Sequence, residues 1–311
     1  MPLKISSKNA YNGILFAVLA TIIWSGNFIV ARGVIKDIPP ISLAFYRWLM
    51  GTIIITPFAL KQFKKEKAIV VANWKSIFWI SLFGITIYNT LIYVAARSLP
   101  AIDLALIGTT SSPVMSIILA AVFLKEAIRP IRIAGLLLCI SGILLLLSQG
   151  SWQKLIQFHF SNGDWWILLA ALSFAIYNIL VRKKPPGISP ISFIFITFLS
   201  GTILLFPAFI IETNTASIPP ITWSNSLLLI VLYLGLGNSV LSFLCWNEAI
   251  ARLGAGRTAL FGNLIPIFSS IEAVIFLKEK VTSIHFISGI LVIGGLIIAN
   301  LRKKQMNNDL I

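Results

Sequence analysis

Ten apolar runs divide the chain, at 11–31, 41–60, 76–96, 104–124, 133–149, 165–181, 190–211, 225–247, 258–277 and 284–301. A bilayer core about 30 Å thick is crossed by a helix of roughly 17–25 residues, and every run meets that length. Polar residues collect in the gaps. Within these limits only Arg47, in the second run, and Glu272, in the ninth, put a formal charge inside a run. The pattern predicts an all-α integral membrane protein with ten transmembrane helices. Pro and Gly occur inside several runs, which neighbouring membrane helices tolerate by re-satisfying the freed backbone groups. Trp74, Trp165, Trp166 and Trp223 fall near run ends, where amphipathic rings favour the headgroup layer. The first run is long for a signal peptide and lacks a small-residue cleavage site, so it reads as a retained span.

Composition agrees. Of 311 residues, 58% are hydrophobic and 11% charged, with a mean hydropathy of +0.93. A soluble domain carries about 25% charged residues, so much of this surface must face lipid. The net charge of +15 would suggest nucleic acid in a soluble protein. Here the basic residues lie in short gaps, without a basic stripe interleaved with aromatics, and no nucleic-acid partner is expected. If the N-terminus is cytoplasmic, 18 Lys and Arg lie in the inside segments and 6 in the outside ones. That bias places both termini in the cytoplasm. Cys139 and Cys245 sit inside apolar runs, which suits packing better than a disulfide. His159 and His285 are too few and too far apart to suggest a metal. No metal or cofactor is expected.

The chain also repeats itself. Pro40-Ile41-Ser42, Gly51-Thr52 and Pro57 recur 150 residues later as Pro190-Ile191-Ser192, Gly201-Thr202 and Pro207. Phe123-Leu124-Lys125-Glu126, preceded by Pro113, recurs after 153 residues as Phe276-Leu277-Lys278-Glu279, preceded by Pro266. Asn27 matches Asn178 and Asn89 matches Asn238, at offsets of 151 and 149. These matches divide the chain into 1–150 and 151–311, five runs each. Five is odd, so the second half enters the membrane upside down. Such inverted repeats are common in carriers, with substrate bound where the repeats meet.

Trp24-Ser25-Gly26-Asn27-Phe28, Phe45-Tyr46-Arg47-Trp48 and the two Pro…Leu-Lys-Glu segments resemble the motifs of the EamA-type branch of the drug/metabolite transporter superfamily. The resemblance covers essentially the whole chain, duplication included. It implies ten helices, a cytoplasmic N-terminus and transport of small metabolites, often export of amino acids. It also implies that spans 1, 3, 4, 6, 8 and 9 surround a central cavity while 2, 5, 7 and 10 lie outside them. Together with the charge bias it implies a cell inner membrane.

Polar side chains inside hydrocarbon are costly unless paired or hydrated. Asn27, Asn89, Asn178 and Asn238 are therefore candidates to line a substrate pathway, since an amide both donates and accepts and so suits a zwitterion. The alternative is interhelical glue, at about 0.6–2 kcal/mol per bond. Trp24, Tyr88, Tyr93, Tyr177 and Trp246 lie on the same spans and could place rings against an apolar side chain or an ammonium group; packing is the competing role. Asn263 could touch substrate or satisfy a carbonyl freed by Pro266. Gly108, Pro113, Gly262 and Pro266 could let the fourth and ninth spans bend as gates, or simply pack. Glu272 has Leu119 as its counterpart at the 153 offset, so the repeat did not require it. Its readings are proton coupling, a structural ion pair with Arg47, and solvation in the cavity. Both residues lie about 8–9 Å below the outer face by helical rise. Glu126 and Glu279 read as capping or loop residues, and Asp103 and Glu248 as solvated.

The chain has no phosphate-binding Gly-rich loop, zinc-protease helix or nucleophile elbow, so ATP-driven and hydrolytic chemistry lack their usual parts. The expectation is a secondary carrier of small metabolites, most simply an amino-acid exporter working by alternating access, driven by protons or facilitating. A lipid translocator and an exporter of other metabolites or drugs are the alternatives. The partners expected are a small-molecule substrate, protons if it is coupled, and the bilayer. Oligomeric state is not readable, because faces that meet lipid and faces that meet a partner are equally apolar.

Overall fold

The computed structural model describes residues 7–125, 130–157, 160–215 and 221–300. The helices, in order, are α1 Ser7–Gly33, α2 Pro40–Ala72, α3 Trp74–Ala95, α4 Ala101–Leu124, α5 Pro130–Leu147, the short α6 Trp152–Ile156, α7 Asn162–Arg182, α8 Pro190–Thr213, α9 Asn225–Leu253, α10 Ala255–Phe261, α11 Gly262–Leu277 and α12 Ser283–Asn300. The described residues contain no strand. Eight helices (α1–α5 and α7–α9) are long and apolar enough to cross a membrane, and α11 and α12 are shorter apolar helices. The chain is a multi-pass membrane protein.

α11 is short for a local reason. It opens with a 3-10 turn at Gly262–Leu264, resumes as α-helix just before Pro266, and ends as a π-helical stretch over Ala273–Leu277. α10 runs directly into it, so residues 255–277 form one interrupted column. α3 and α9 carry longer π-helical stretches, Leu82–Ile87 and Tyr233–Leu241. π-bulges of this kind are frequent at functional sites.

Helix ends follow the duplicated sequence. Pro40 and Pro190 occupy first helical positions, where a missing N–H costs nothing. Ser161 and Asp164 form a reciprocal capping box at the start of α7. Lys125 and Lys278, from the repeated Leu-Lys-Glu, end α4 and α11 in the left-handed conformation at φ 54° and 57°.

The helices pack in pairs that cross between the halves. α2 and α8 run antiparallel, and each caps the other. The Glu212 carboxylate accepts from the N–H groups of Ile41 (3.1 Å) and Ser42 (2.6 Å) at the start of α2. The Glu66 carboxylate accepts from Ser189 N–H (3.0 Å) at the start of α8, and Gln62 donates to its other oxygen. Midway along the pair, the Thr52 and Thr202 hydroxyls meet at 3.3 Å. α5 and α12 approach closely because glycines remove the obstructing Cβ atoms. A Cβ at Gly135 would lie 2.5 Å from the Gly295 carbonyl oxygen, and one at Gly142 would lie 3.0 Å from that of Ser288. Between those points the Cys139 thiol donates to the Val292 carbonyl at 3.4 Å.

α1 lies against α9, and α3 lies against α7, each crossing seated by a tyrosine over a glycine. Tyr233 Oη would be 2.1 Å from a Cβ at Gly26, and the Tyr177 ring 2.2 Å from one at Gly84. Neither glycine could be alanine without moving its tyrosine. α4 fits between α7 and α5, with Gly108 facing Ile167. Large apolar side chains such as Phe58, Ile203, Phe276 and Phe286 are exposed on the outside, as a surface solvated by lipid requires.

Candidate functional site

The buried centre is built around Arg47, which reaches from α2 between α1, α3 and α9. Its guanidinium donates to five neutral oxygens. Nη1 meets Asn27 Oδ1 (2.7 Å), Asn89 Oδ1 (2.8 Å) and Tyr93 Oη (3.0 Å); Nη2 meets Asn238 Oδ1 (2.7 Å); Nε meets Ser239 Oγ (3.1 Å). Its face lies over the Trp48 ring, 4.6 Å from the centroid. Tyr93 in turn donates to Asn27 Oδ1 at 2.9 Å. Arg47, Asn27, Asn89, Asn238, Tyr93 and Ser239 are all buried. A guanidinium has five N–H donors in a rigid fork, so three amide carbonyls converging on one guanidinium is the arrangement its shape selects. The cluster joins three of the four repeated asparagines. Asn178 stands apart, donating to Ser116 Oγ of α4 at 3.2 Å.

Among the described residues, no carboxylate contacts the fork. Glu272, in α11, accepts instead from the Ser25 hydroxyl at 2.6 Å, and its Oε2 is buried without a hydrogen-bond partner. The ion pair with Arg47 considered from depth alone does not form. Equal depth along the membrane normal leaves lateral position open, and here the α1 backbone lies between the two charges.

That stretch of α1 is bonded on both sides. The Ile23 carbonyl accepts from Asn238 Nδ2 and from Tyr233 Oη, each at 2.7 Å. Ser25 Oγ lies 2.6 Å from the Ile22 carbonyl as well as from Glu272, and the Ser25 carbonyl accepts from Ser269 Oγ at 3.2 Å. The signature Trp24-Ser25-Gly26-Asn27 is therefore the piece of backbone through which Arg47 and Glu272 are connected. Ser25, Tyr233, Ser239 and Ser269 were not singled out by the sequence. Ser25 sits within the quoted motif, and Tyr233 is the counterpart of Gly84 at the 149 offset; neither signal says that the side chain points inward.

The aromatic candidates form two groups. Trp24 packs against Trp246 (5.1 Å between centroids) and edge-on to Phe243 (5.4 Å). Tyr88 stacks on Phe174 (4.5 Å), which stacks on Tyr177 (5.3 Å). All six of these rings are half-buried. Asn263 and Gly262 lie in the 3-10 turn that opens α11, Gly262 toward Trp246, and Pro266 follows where the α-helix resumes. Pro113 leaves α4 continuous. Near one end of the bundle, an apolar groove of about 350 Å³ opens on the flank between α2, α3 and α8, with Ser200 its one polar side chain. None of the candidate residues lines it.

At the end holding the starts of α4 and α12, Asp103 is buried rather than solvated. His285 Nε2 lies 2.9 Å from its Oδ1. The His285 Nδ1 accepts from the Thr282 N–H at 2.9 Å, which leaves Nε2 as the donor to Asp103. Water is displaced because the first turn of α4 is packed on all sides. Glu279 caps the same turn, accepting from Ala101 N–H (2.8 Å) and Ile102 N–H (3.1 Å). Glu248 is half-exposed and pairs with Arg252 one turn on, at 3.0 Å. Glu126 and His159 lie outside the described residues.

Comparison with known proteins agrees with this architecture. A transporter from Archaeoglobus fulgidus, itself uncharacterized, is 25% identical over 294 residues, 94% of this chain and 98% of that protein. A protein of Escherichia coli named a probable amino-acid metabolite efflux pump is 23% identical over 296 residues, covering 92% of this chain and 94% of that one. A protein of Streptantibioticus cattleyicolor named a probable terminal-alkyne amino-acid exporter is 26% identical over 191 residues, 61% of each chain. One crystal structure superposes with a TM-score of 0.62 at 20% identity, over 94% of this chain and 97% of that one, and shares the fold. The EamA-like transporter family profile matches twice in succession, over residues 11–148 and 161–301. The chain belongs to the EamA-like transporter family.

Proposed function

We propose that this protein is a secondary carrier that exports an amino acid or a related small metabolite by alternating access between two inverted five-helix halves, 1–150 and 151–311. The observation that carries the reading is a reciprocity of contacts. Thr52 touches Thr202 and Cys139 touches Val292, which are counterparts at the repeat offsets of 150 and 153. Gly26 faces Tyr233, while the counterpart pair, Tyr177 and Gly84, faces with the roles exchanged. Gly142 against Ser288 maps in the same way onto Gly295 against Gly135. Contacts of i with j matched by contacts of j with i are the signature of a two-fold relation. With five spans per half, that axis lies in the membrane plane, which makes ten crossings: the eight long helices, the column 255–277, and α12.

The charge asymmetry of the loops orients both termini to the cytoplasm, and an inner membrane suits the relatives. Rocking of one half against the other about the Arg47 centre would expose it alternately. The amino-acid assignment draws support from the two relatives named as amino-acid exporters and from the charge layout. A buried cation ringed by neutral amides and a separate carboxyl, both within electrostatic reach of Tyr233, suit a zwitterion better than an ion of one sign. The flank groove has too little polar lining to hold a headgroup, so lipid translocation gains nothing from it. Glu272 is the coupling carboxyl in this reading, and Trp24, Asn27, Tyr88, Tyr177, Asn178, Trp246 and Asn263 form the substrate path.

The test is uptake of labelled amino acids into proteoliposomes, with counterflow and with an imposed pH gradient. Saturable uptake accelerated by preloaded unlabelled substrate establishes a carrier, and acceleration by the pH gradient establishes coupling. Linear, non-saturating flux without counterflow would identify a channel and overturn the reading.

A further inference from the structure

Ser25 has one hydroxyl proton and two acceptors. Its Oγ lies 2.6 Å from the Ile22 carbonyl oxygen and 2.6 Å from Glu272 Oε1, and the residue is wholly buried. A hydroxyl donates once, so the two bonds cannot coexist while Glu272 is ionised. We infer that Ser25 and Glu272 form a two-state proton-binding site, in which the Ser25 proton changes acceptor as the carboxyl loads and unloads. This rests on the reading of Glu272 as the coupling carboxyl and names the residue that makes its two states distinct to the rest of the protein.

In the ionised state Ser25 donates to the carboxylate, since a charge-assisted hydrogen bond is roughly twice as strong as a neutral one. The Ile22 carbonyl then loses this extra donor. When a proton from the aqueous side adds to Glu272, the carboxyl O–H turns donor to Ser25 Oγ, and Ser25 returns its own proton to the Ile22 carbonyl. One proton enters, no other bond to hydrogen is broken, and the net charge of the site rises by one. Glu272 Oε2, buried and without a partner, is the open position where the proton first adds, and a half-turn of the carboxyl group then carries the O–H to the position facing Ser25 Oγ. Only that rotation and the turning of the Ser25 hydroxyl are needed for the exchange.

The consequence is carried by α1. Ser269, three residues before Glu272 on α11, grips the Ser25 carbonyl at 3.2 Å. On the other face of the same turn the Ile23 carbonyl holds Asn238 and Tyr233, and Asn27 holds Arg47. A change in what Ser25 gives to Ile22 therefore acts on the turn that anchors the amide cluster. Other ionisable groups around this point are Tyr233 of α9 and Arg47 of α2. On α4, Asp103 is held by His285 of α12 at the end of the bundle. Ser25 is thus a positioning residue: it need not touch substrate.

The experiment measures the pH profile of substrate uptake in proteoliposomes for the wild type, Ser25→Ala, Ser25→Thr and Glu272→Gln. Ser25→Ala removes a charge-assisted bond from the ionised carboxyl and only a neutral one from the protonated form. The midpoint is expected to move about one pH unit toward higher pH, with KM for substrate within about twofold of wild type. Ser25→Thr keeps the single hydroxyl proton and is expected to retain the wild-type midpoint. Glu272→Gln is expected to lose gradient stimulation. If Ser25→Ala does not fold, infrared difference spectra of wild type and Ser25→Thr serve instead. The inference expects one protonated-carboxyl band on acidification, at the same frequency in both and absent in Glu272→Gln.

An unchanged midpoint in Ser25→Ala, with stimulation lost in Glu272→Gln, would overturn the role of Ser25 and leave Glu272 as the coupling group. A wild type indifferent to the pH gradient would overturn both. Stimulation by a sodium gradient at constant pH would overturn the proton as the ligand.

Discussion

Replacing Arg47 by methionine tests how the centre is held together. The change keeps most of the side-chain volume and removes the cation and all five donors. It leaves the amide oxygens of Asn27, Asn89 and Asn238 without their guanidinium partners in a site where each is buried. An orphaned buried acceptor costs about 1–3 kcal/mol, and three would give roughly 3–9 kcal/mol. Asn27 keeps its bond from Tyr93, and amides can turn to pair with one another, so the low half of that range is expected, about 3–5 kcal/mol. At roughly 2–4 °C per kcal/mol, thermal unfolding of the detergent-solubilised protein should fall by on the order of 10 °C. The same series decides whether Arg47 and Glu272 act as a pair. Glu272→Gln retains an oxygen for the Ser25 bond, and the double variant should be additive to within about 0.5 kcal/mol. Removing one partner of a buried ion pair costs about 3–5 kcal/mol, and most of that would appear as coupling in the cycle. A coupling energy above about 2 kcal/mol, or an Arg47→Met variant within about 2 °C of wild type, would falsify the neutral-cage description.

Three further outcomes follow from the packing. Gly26→Ala should be destabilising and partly rescued by Tyr233→Phe, because the nearest atom to the new Cβ is the hydroxyl oxygen at 2.1 Å while Cζ is at 3.0 Å; unfolding temperatures of the single and double variants measure it. Gly84→Ala should gain nothing from Tyr177→Phe, since there the obstruction is ring carbon at 2.2–2.7 Å, and equal rescue at both sites would contradict the geometry. Glu212→Ala strips the cap from two N–H groups at the start of α2 and should cost about 1–3 kcal/mol. Glu66→Ala should cost a similar amount at α8, and thermal melts that leave either variant unchanged would show that these carboxylates do not hold the α2–α8 pair.

Much of the fold was legible in the sequence, because a bilayer imposes a length. Ten apolar runs were expected to be helices, since no other unclosed structure satisfies backbone polar groups in lipid, and the described residues of each run are helical but for one or two at the ends of the third and fifth. The proline, glycine and Leu-Lys-Glu repeats set helix starts and ends at matching places, down to the left-handed Lys125 and Lys278. The π-helical stretches were not legible, because no residue type in the chain marks them, whereas the break at Gly262–Leu264 falls where Pro266 has no N–H to give the Gly262 carbonyl four residues before it.

The site divides in the same way. That Asn27, Asn89, Asn238, Arg47 and Glu272 matter could be inferred from the cost of polar atoms in hydrocarbon, a property of each residue alone. Which of them meet could not. Helical rise along the apolar runs put Arg47 and Glu272 at similar depth, yet they bond to different partners, Asn27 among Arg47's and Ser25 for Glu272. Asn178 repeats Asn27 in sequence and sits on Ser116 instead, because the second half offers Thr197 where the first has Arg47. Hydrophobic period and depth are one-dimensional and are carried by the sequence. Azimuth around each helix, and hence which oxygen faces which donor, is decided only when all the helices pack at once.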